Sequence, residues 1–254
     1  MGTKFHIHEF GKENEKILVM LHGSCMTWDM YEESIRILEK NYHVIIPALP
    51  GYDFNEDTDF TSIEHICRYL EEWLTRKGYA EIDGIYGLSM GGSLVIRFLA
   101  DNRIKVKRAI IDAGITPYDY PWLVTRLIAV RDYLMIRLGQ SSQKMLELVY
   151  SPERYTQEGV AYLYQALRHM SRKTIWRTFE SCNNYSMPEK IPKLETKITY
   201  WYGSLEKKAR KQDIVFVSRT YPETVFEEIE GMEHGEFCMM YPKQFADKVA
   251  EFIG

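Results

Sequence analysis

Two hydrophobic rhythms alternate along the chain. Short apolar runs fall at 4–10, 16–21, 42–46, 82–86, 106–111, 197–202 and 224–229. Ile17-Leu18-Val19-Met20-Leu21 is apolar at every position, the pattern of a parallel strand buried on both faces. The first run alternates instead, through Phe5, Ile7 and Glu9. Between the runs, apolar residues recur every three or four positions, as on one face of a helix. Ile63, Ile66, Leu70, Trp73 and Leu74 mark such a face, with Thr61 or Ser62 as the cap and Gly78 as the stop. Further helices are expected over 28–40, 93–101, 207–220 and 242–253.

The alternation breaks after Asp112-Ala113-Gly114. From 115 to 190 only helical spacing appears, near 120–138, 142–150, 157–170 and 172–181, punctuated by Pro152, Gly159 and Pro188. The first of these segments carries the stripe Leu123, Leu127, Val130, Leu134 and Leu138. Strand–helix alternation predicts an α/β fold: a mostly parallel sheet of about seven strands, helices on both faces, right-handed crossovers. Residues 1–114 and 191–254 then form one core, and 115–190 a helical cap inserted late in the chain. Ligands on such sheets bind at the carboxyl ends of the strands. The insertion springs from that edge, so it is expected to lie over the site.

Composition narrows the function. The 254 residues are 45% apolar and 27% charged, ordinary for a globular chain with a sizeable core. A net charge of −4 without a long basic run speaks against nucleic acid as partner. No apolar run approaches the 18 residues of a membrane span. The first residues lack the apolar stretch of a signal peptide, and His6 stands where a myristoylation motif needs Ser or Thr after Gly2. Cys25, Cys67, Cys182 and Cys238 are far apart, with no C-x-x-C pair; they read as reduced thiols without a zinc site. These features predict a cytoplasmic location, no cofactor and no metal.

The candidate chemistry centres on Gly87-Leu88-Ser89-Met90-Gly91-Gly92, a G-x-S-x-G between a strand run and a helix run. A sharp strand-to-helix turn puts Ser89 at its apex with φ > 0, and Gly87 and Gly91 remove the Cβ atoms that would crowd the crossing. An activated serine needs a base. Of seven histidines, His234 stands apart in a loop, Gly231 to Phe237, between the last strand and the last helix. The base needs an orienting carboxylate. Glu206, just past the strand tip at Gly203, is the first candidate; Asp112, at another strand tip, is the alternative, and Asp213 is a third. Two backbone N–H donors for an oxyanion are expected from Met90 and from Ser24, with Cys25 the alternative to Ser24. Gly23 lets that loop turn closely, and His22 reads as its organiser.

In order, His22-Gly23, Gly87-x-Ser89-x-Gly91, a carboxylate after the next-to-last strand, and His234 resemble the α/β-hydrolase fold over nearly the whole chain. The segments Leu21-His22-Gly23-Ser24 and Pro50-Gly51-Tyr52-Asp53 are similar to those of its capped small-molecule hydrolases. The resemblance implies a capped, esterase-like serine hydrolase that acts on a small carboxylic ester through an acyl-enzyme. Thioesterase and carbon–carbon bond hydrolase are the alternatives within the fold. A ligand receptor or scaffold with a slow triad is the alternative outside catalysis. A serine at the elbow sets the chain apart from the aspartate-nucleophile branches. Glutamate is the less common triad acid, and one strand, where many members have two, precedes the run at 16–21.

Overall fold

The computed structural model describes residues 5–254. Gly2, and Lys4 at the start of the expected first strand, lie outside them. Seven strands form one sheet: β1 (Ile7–Phe10), β2 (Ile17–Leu21), β3 (His43–Pro47), β4 (Glu81–Leu88), β5 (Lys105–Asp112), β6 (Lys197–Gly203) and β7 (Val225–Ile229). Their order is β1-β3-β2-β4-β5-β6-β7. Only β1 runs antiparallel, with Ile7 opposite Pro47; the other pairs are parallel. Every residue of β2 and β3 is buried, which is why β2 and, apart from His43, β3 are continuously apolar. The edge strand β1 is half-buried throughout, in keeping with its alternation.

The helices before the break are α1 (Glu32–Leu38), α2 (Ile63–Arg76) and α3 (Met90–Asp101). Ser62 caps α2, its hydroxyl accepting from the His65 N–H. In α3 all residues but Arg97 and Asp101 are buried, because α3 is covered by the sheet and by α2. It ends at Asn102 in the left-handed region (φ 47°), where asparagine is well tolerated.

Five helices fill the interval between β5 and β6: α4 (Trp122–Ser141), α5 (Gln143–Glu147), α6 (Pro152–Tyr155), α7 (Gln157–His169) and α8 (Arg172–Asn184). The chain closes with α9 (Lys211–Thr220), α10 (Glu236–Met240) and α11 (Pro242–Ile253). The inserted helices bond to the loop after β3. The hydroxyl of Thr174 accepts from the Phe60 N–H (3.1 Å), that of Ser181 from the Ile63 N–H (2.9 Å), and Thr178 meets the Tyr52 hydroxyl at 2.7 Å. Helix α4 packs on α8 and α7 through a face of small residues, Thr125 and Ala129. Its leucine stripe therefore points outward, with Leu123, Leu127 and Leu134 each about 60% exposed. Among the described residues no helix is long and apolar enough to cross a membrane.

Candidate active site

The turn from β4 into α3 holds Ser89 at φ 52°, ψ −110°, outside the regions an L-residue ordinarily occupies. Its N–H donates to the Asp112 carbonyl at 2.7 Å, and its carbonyl accepts from the Ser93 N–H. The glycines make the crossing possible. A Cβ at Gly87 would lie 2.2 Å from the Gly91 oxygen, and one at Gly91 would lie 2.2 Å from the Leu21 oxygen. Met90 opens α3, so its N–H is among the donors a helix leaves free at its start.

The loop after β2 approaches the same point. His22 is fully buried; its Nε2 accepts from the Leu49 N–H (3.2 Å), so Nδ1 carries the proton and donates to the Gly23 carbonyl (2.9 Å). Burial pushes its pKa down to about 4, so it stays neutral and ties two loops together. Cys25 sits at φ 66°, and burial pushes its thiol up to about 12, which leaves it without thiolate character at neutral pH. Ser24 beside it is partly exposed.

Glu206 lies in the turn after β6 and His234 in the loop after β7. Glu206 Oε2 is 2.7 Å from His234 Nδ1, and Oε1 accepts from the Gly203 N–H at 3.3 Å. Burial alone would raise the Glu206 carboxyl; the charge and hydrogen bond of His234, the Arg210 guanidinium and the Gly203 N–H outweigh it and hold the carboxyl below its ordinary value. Arg210, four residues on, sits 3.3 Å away. Asp112 takes a different partner. Its Oδ2 accepts from the Tyr86 hydroxyl at 2.7 Å, and burial pushes its pKa up to about 7 against that bond. Asp213 is bound elsewhere, accepting from the Thr116 N–H and hydroxyl at 2.8 Å each.

Leu88 shows how closely the three loops converge. Its side chain lies within 3.4 Å of where a Cβ would stand on Gly23 and on Gly235, the neighbours of Ser24 and of His234. The turn that carries Ser89 and the loops that carry Gly23 and His234 thus converge around Leu88. Among the described residues Ser89 Oγ makes no hydrogen bond, a looseness common before substrate binds.

Three further residues reach these candidate site loops without any signal of period or motif. The Tyr155 hydroxyl donates to the His234 carbonyl (3.1 Å). Arg154 donates to the Gly231 carbonyl (3.1 Å) and to Glu236 Oε2 (2.8 Å), which in turn accepts from the Glu233 N–H. The Tyr162 hydroxyl donates to Asp29 (2.7 Å) and accepts from the Thr27 N–H (3.2 Å). Only Arg210 had a readable cue, its i,i+4 spacing from Glu206.

Residues 16–142, half of the chain, match the family model described as alpha/beta hydrolase fold. An uncharacterized hydrolase of Saccharomyces cerevisiae is 28% identical over 102 residues, 38% of this chain and 35% of that protein, so the match spans about a third of that relative. Solved structures superpose over nearly the full length. A Desulfitobacterium hafniense protein assigned to the alpha/beta hydrolase family has a TM-score of 0.76 at 17% identity, covering 98% of this chain and 100% of that one. An esterase of a marine microorganism has 0.73 at 19%, covering 98% and 99%. The enol-lactonase of Burkholderia xenovorans has 0.74 at 15%, covering 98% and 96%. At these identities the structural likeness speaks for the fold alone.

Proposed function

This chain belongs to the alpha/beta hydrolase fold family, and we propose that it is a serine hydrolase that cleaves a small carboxylic ester through an acyl-enzyme. The observation that carries the reading is the 2.7 Å Glu206–His234 pair, together with a serine held at positive φ. With Nδ1 donating to an ionised Glu206, the Nε2 lone pair of His234 is free to take the Ser89 proton. The Ser89 oxygen attacks the ester carbonyl, and the N–H groups of Met90 and Ser24 hold the oxyanion. His234 returns the proton to the departing alcohol, and water activated by the same imidazole releases the acid. Among the structural neighbours are an esterase and an enol-lactonase, both named for the ester class proposed here. Residues 115–190 serve in this reading as a cap that selects the acyl and alcohol groups, and 1–114 with 191–254 as the catalytic core.

The test is covalent. A fluorophosphonate probe is expected to label the wild-type chain, and short p-nitrophenyl esters to be turned over many times per molecule. Ser89→Ala loses both. Labelling that survives in Ser89→Ala means another nucleophile, and labelling without turnover means a stoichiometric binder rather than an enzyme.

A further inference from the structure

The outer face of α4 is apolar where an isolated surface helix would be polar. Leu123, Leu127, Val130 and Leu134 are 62%, 63%, 42% and 59% exposed. Trp122 at one end and Leu138 at the other, 69% and 51% exposed, extend the face along the whole helix. An apolar patch this continuous marks an interaction site on a protein surface.

The spacing of the four central residues says what kind of partner fits. Steps of 4, 3 and 4 are those of a coiled-coil seam, which packs against another helix. The seam is also self-complementary. Laid antiparallel on a second copy, Leu123 meets Leu134 and Leu127 meets Val130, and the two-fold axis repeats both pairs in reverse. The flanking Arg131 then falls beside Val124 of the other copy rather than beside its own equivalent, so no like charges are forced together.

The charges beside the face argue against a lipid surface. Arg126 is paired with Glu180 at 2.8 Å, Arg131 with Asp132 at 2.7 Å, and Arg137 is bonded to Gln140. A helix that lies on anionic lipid needs its flanking cations free for headgroups. We propose that this face is the interface of a two-fold homodimer in which the α4 helices of two copies pack antiparallel.

Sedimentation velocity on the full chain, across a range of concentrations, tests the assembly. The expected species has twice the 30.0 kDa mass of one chain. The double variant Leu127→Glu with Leu134→Glu places four carboxylates in one seam and is expected to weaken association more than about 100-fold. Both positions are exposed, so its far-UV circular dichroism stays that of the wild type. Register is tested separately by Leu123→Cys with Leu134→Cys. The four native cysteines are buried, and oxidation of this variant is expected to give a covalent dimer. A wild-type chain that is monomeric at every concentration overturns the proposal. So does a dimer that survives the glutamates, or a monomeric chain that binds phosphatidylglycerol vesicles through this face.

Discussion

Two carboxylates stand at strand tips near the candidate base, and their partners separate them. Glu206 bonds His234; Asp112 bonds Tyr86 and is pushed up to about 7 by burial. An acid that orients an imidazolium must be ionised where the enzyme works, and Glu206, held below its ordinary value, meets that need. Glu206→Gln is therefore expected to lower kcat on a p-nitrophenyl ester by about 10⁴. Asp112→Asn keeps a group that can accept from Tyr86 and is expected to cost less than about tenfold, a side-chain hydrogen bond at most. The reverse ranking in a kcat comparison would move the role to Asp112. The sequence shows both carboxylates, because each follows a strand run and precedes a turn. It puts Glu206 ahead of Asp112 but does not show what engages Asp112, a tyrosine 26 residues earlier on the neighbouring strand. Ser89 is more legible: its demand for glycine on either side is local and is written within six residues.

At the scale of elements, α6 is the least legible, yet it bonds to the loop that carries His234. It has four residues, too few for any periodicity to mark it. Yet Arg154 and Tyr155 make three hydrogen bonds to the segment 231–236, which carries His234, while Tyr162 of α7 holds the loop after β2 from the other side. Helices of the inserted block and the loops that carry the candidate site residues are thus bonded to each other directly. Arg154→Ala with Tyr155→Phe is expected to lower kcat about tenfold or more, since a base held loosely spends less time in reach of the serine. KM is expected to change little, and Arg154→Lys to restore part of the rate through the Glu236 contact. A loss confined to KM would mean that these side chains bind substrate instead. Helix α4 teaches the converse lesson. Its stripe fixes that there is a helix but not which side the rest of the chain covers; small residues at Thr125 and Ala129 let the other face pack inward.

For the whole molecule, the alternation of strands and helices makes the sheet and its mostly parallel sense readable. The ionisation of its interior is not readable, because it depends on which charges the packed helices trap. Glu71 is the clearest case. It lies on α2, 1% exposed, with both carboxyl oxygens lacking a hydrogen bond among the described residues; Arg103 stands 3.5 Å away. Burial, with the charge of Asp101 added, pushes it up to about 7 despite the arginines nearby. The folded chain then keeps a proton that the unfolded chain gives up between its ordinary pKa of 4.5 and about 7. Stability falls across that window as pH rises, by up to about 1.4 kcal/mol per pH unit, and is level above it. Asp112 adds to the fall in the same direction, from 3.8 to about 7. Glu71→Gln removes one of the two and leaves everything else that titrates in place, so the difference between variant and wild type isolates Glu71. At pH 4.5 the two should melt close together. At pH 8 the variant is expected to be more stable by about 1–3 kcal/mol, which for a chain of this size is roughly 2–4 °C in Tm for each kcal/mol. A Tm difference that does not change between pH 4.5 and 8 would mean that Glu71 is ionised in the fold and that Arg103 neutralises it.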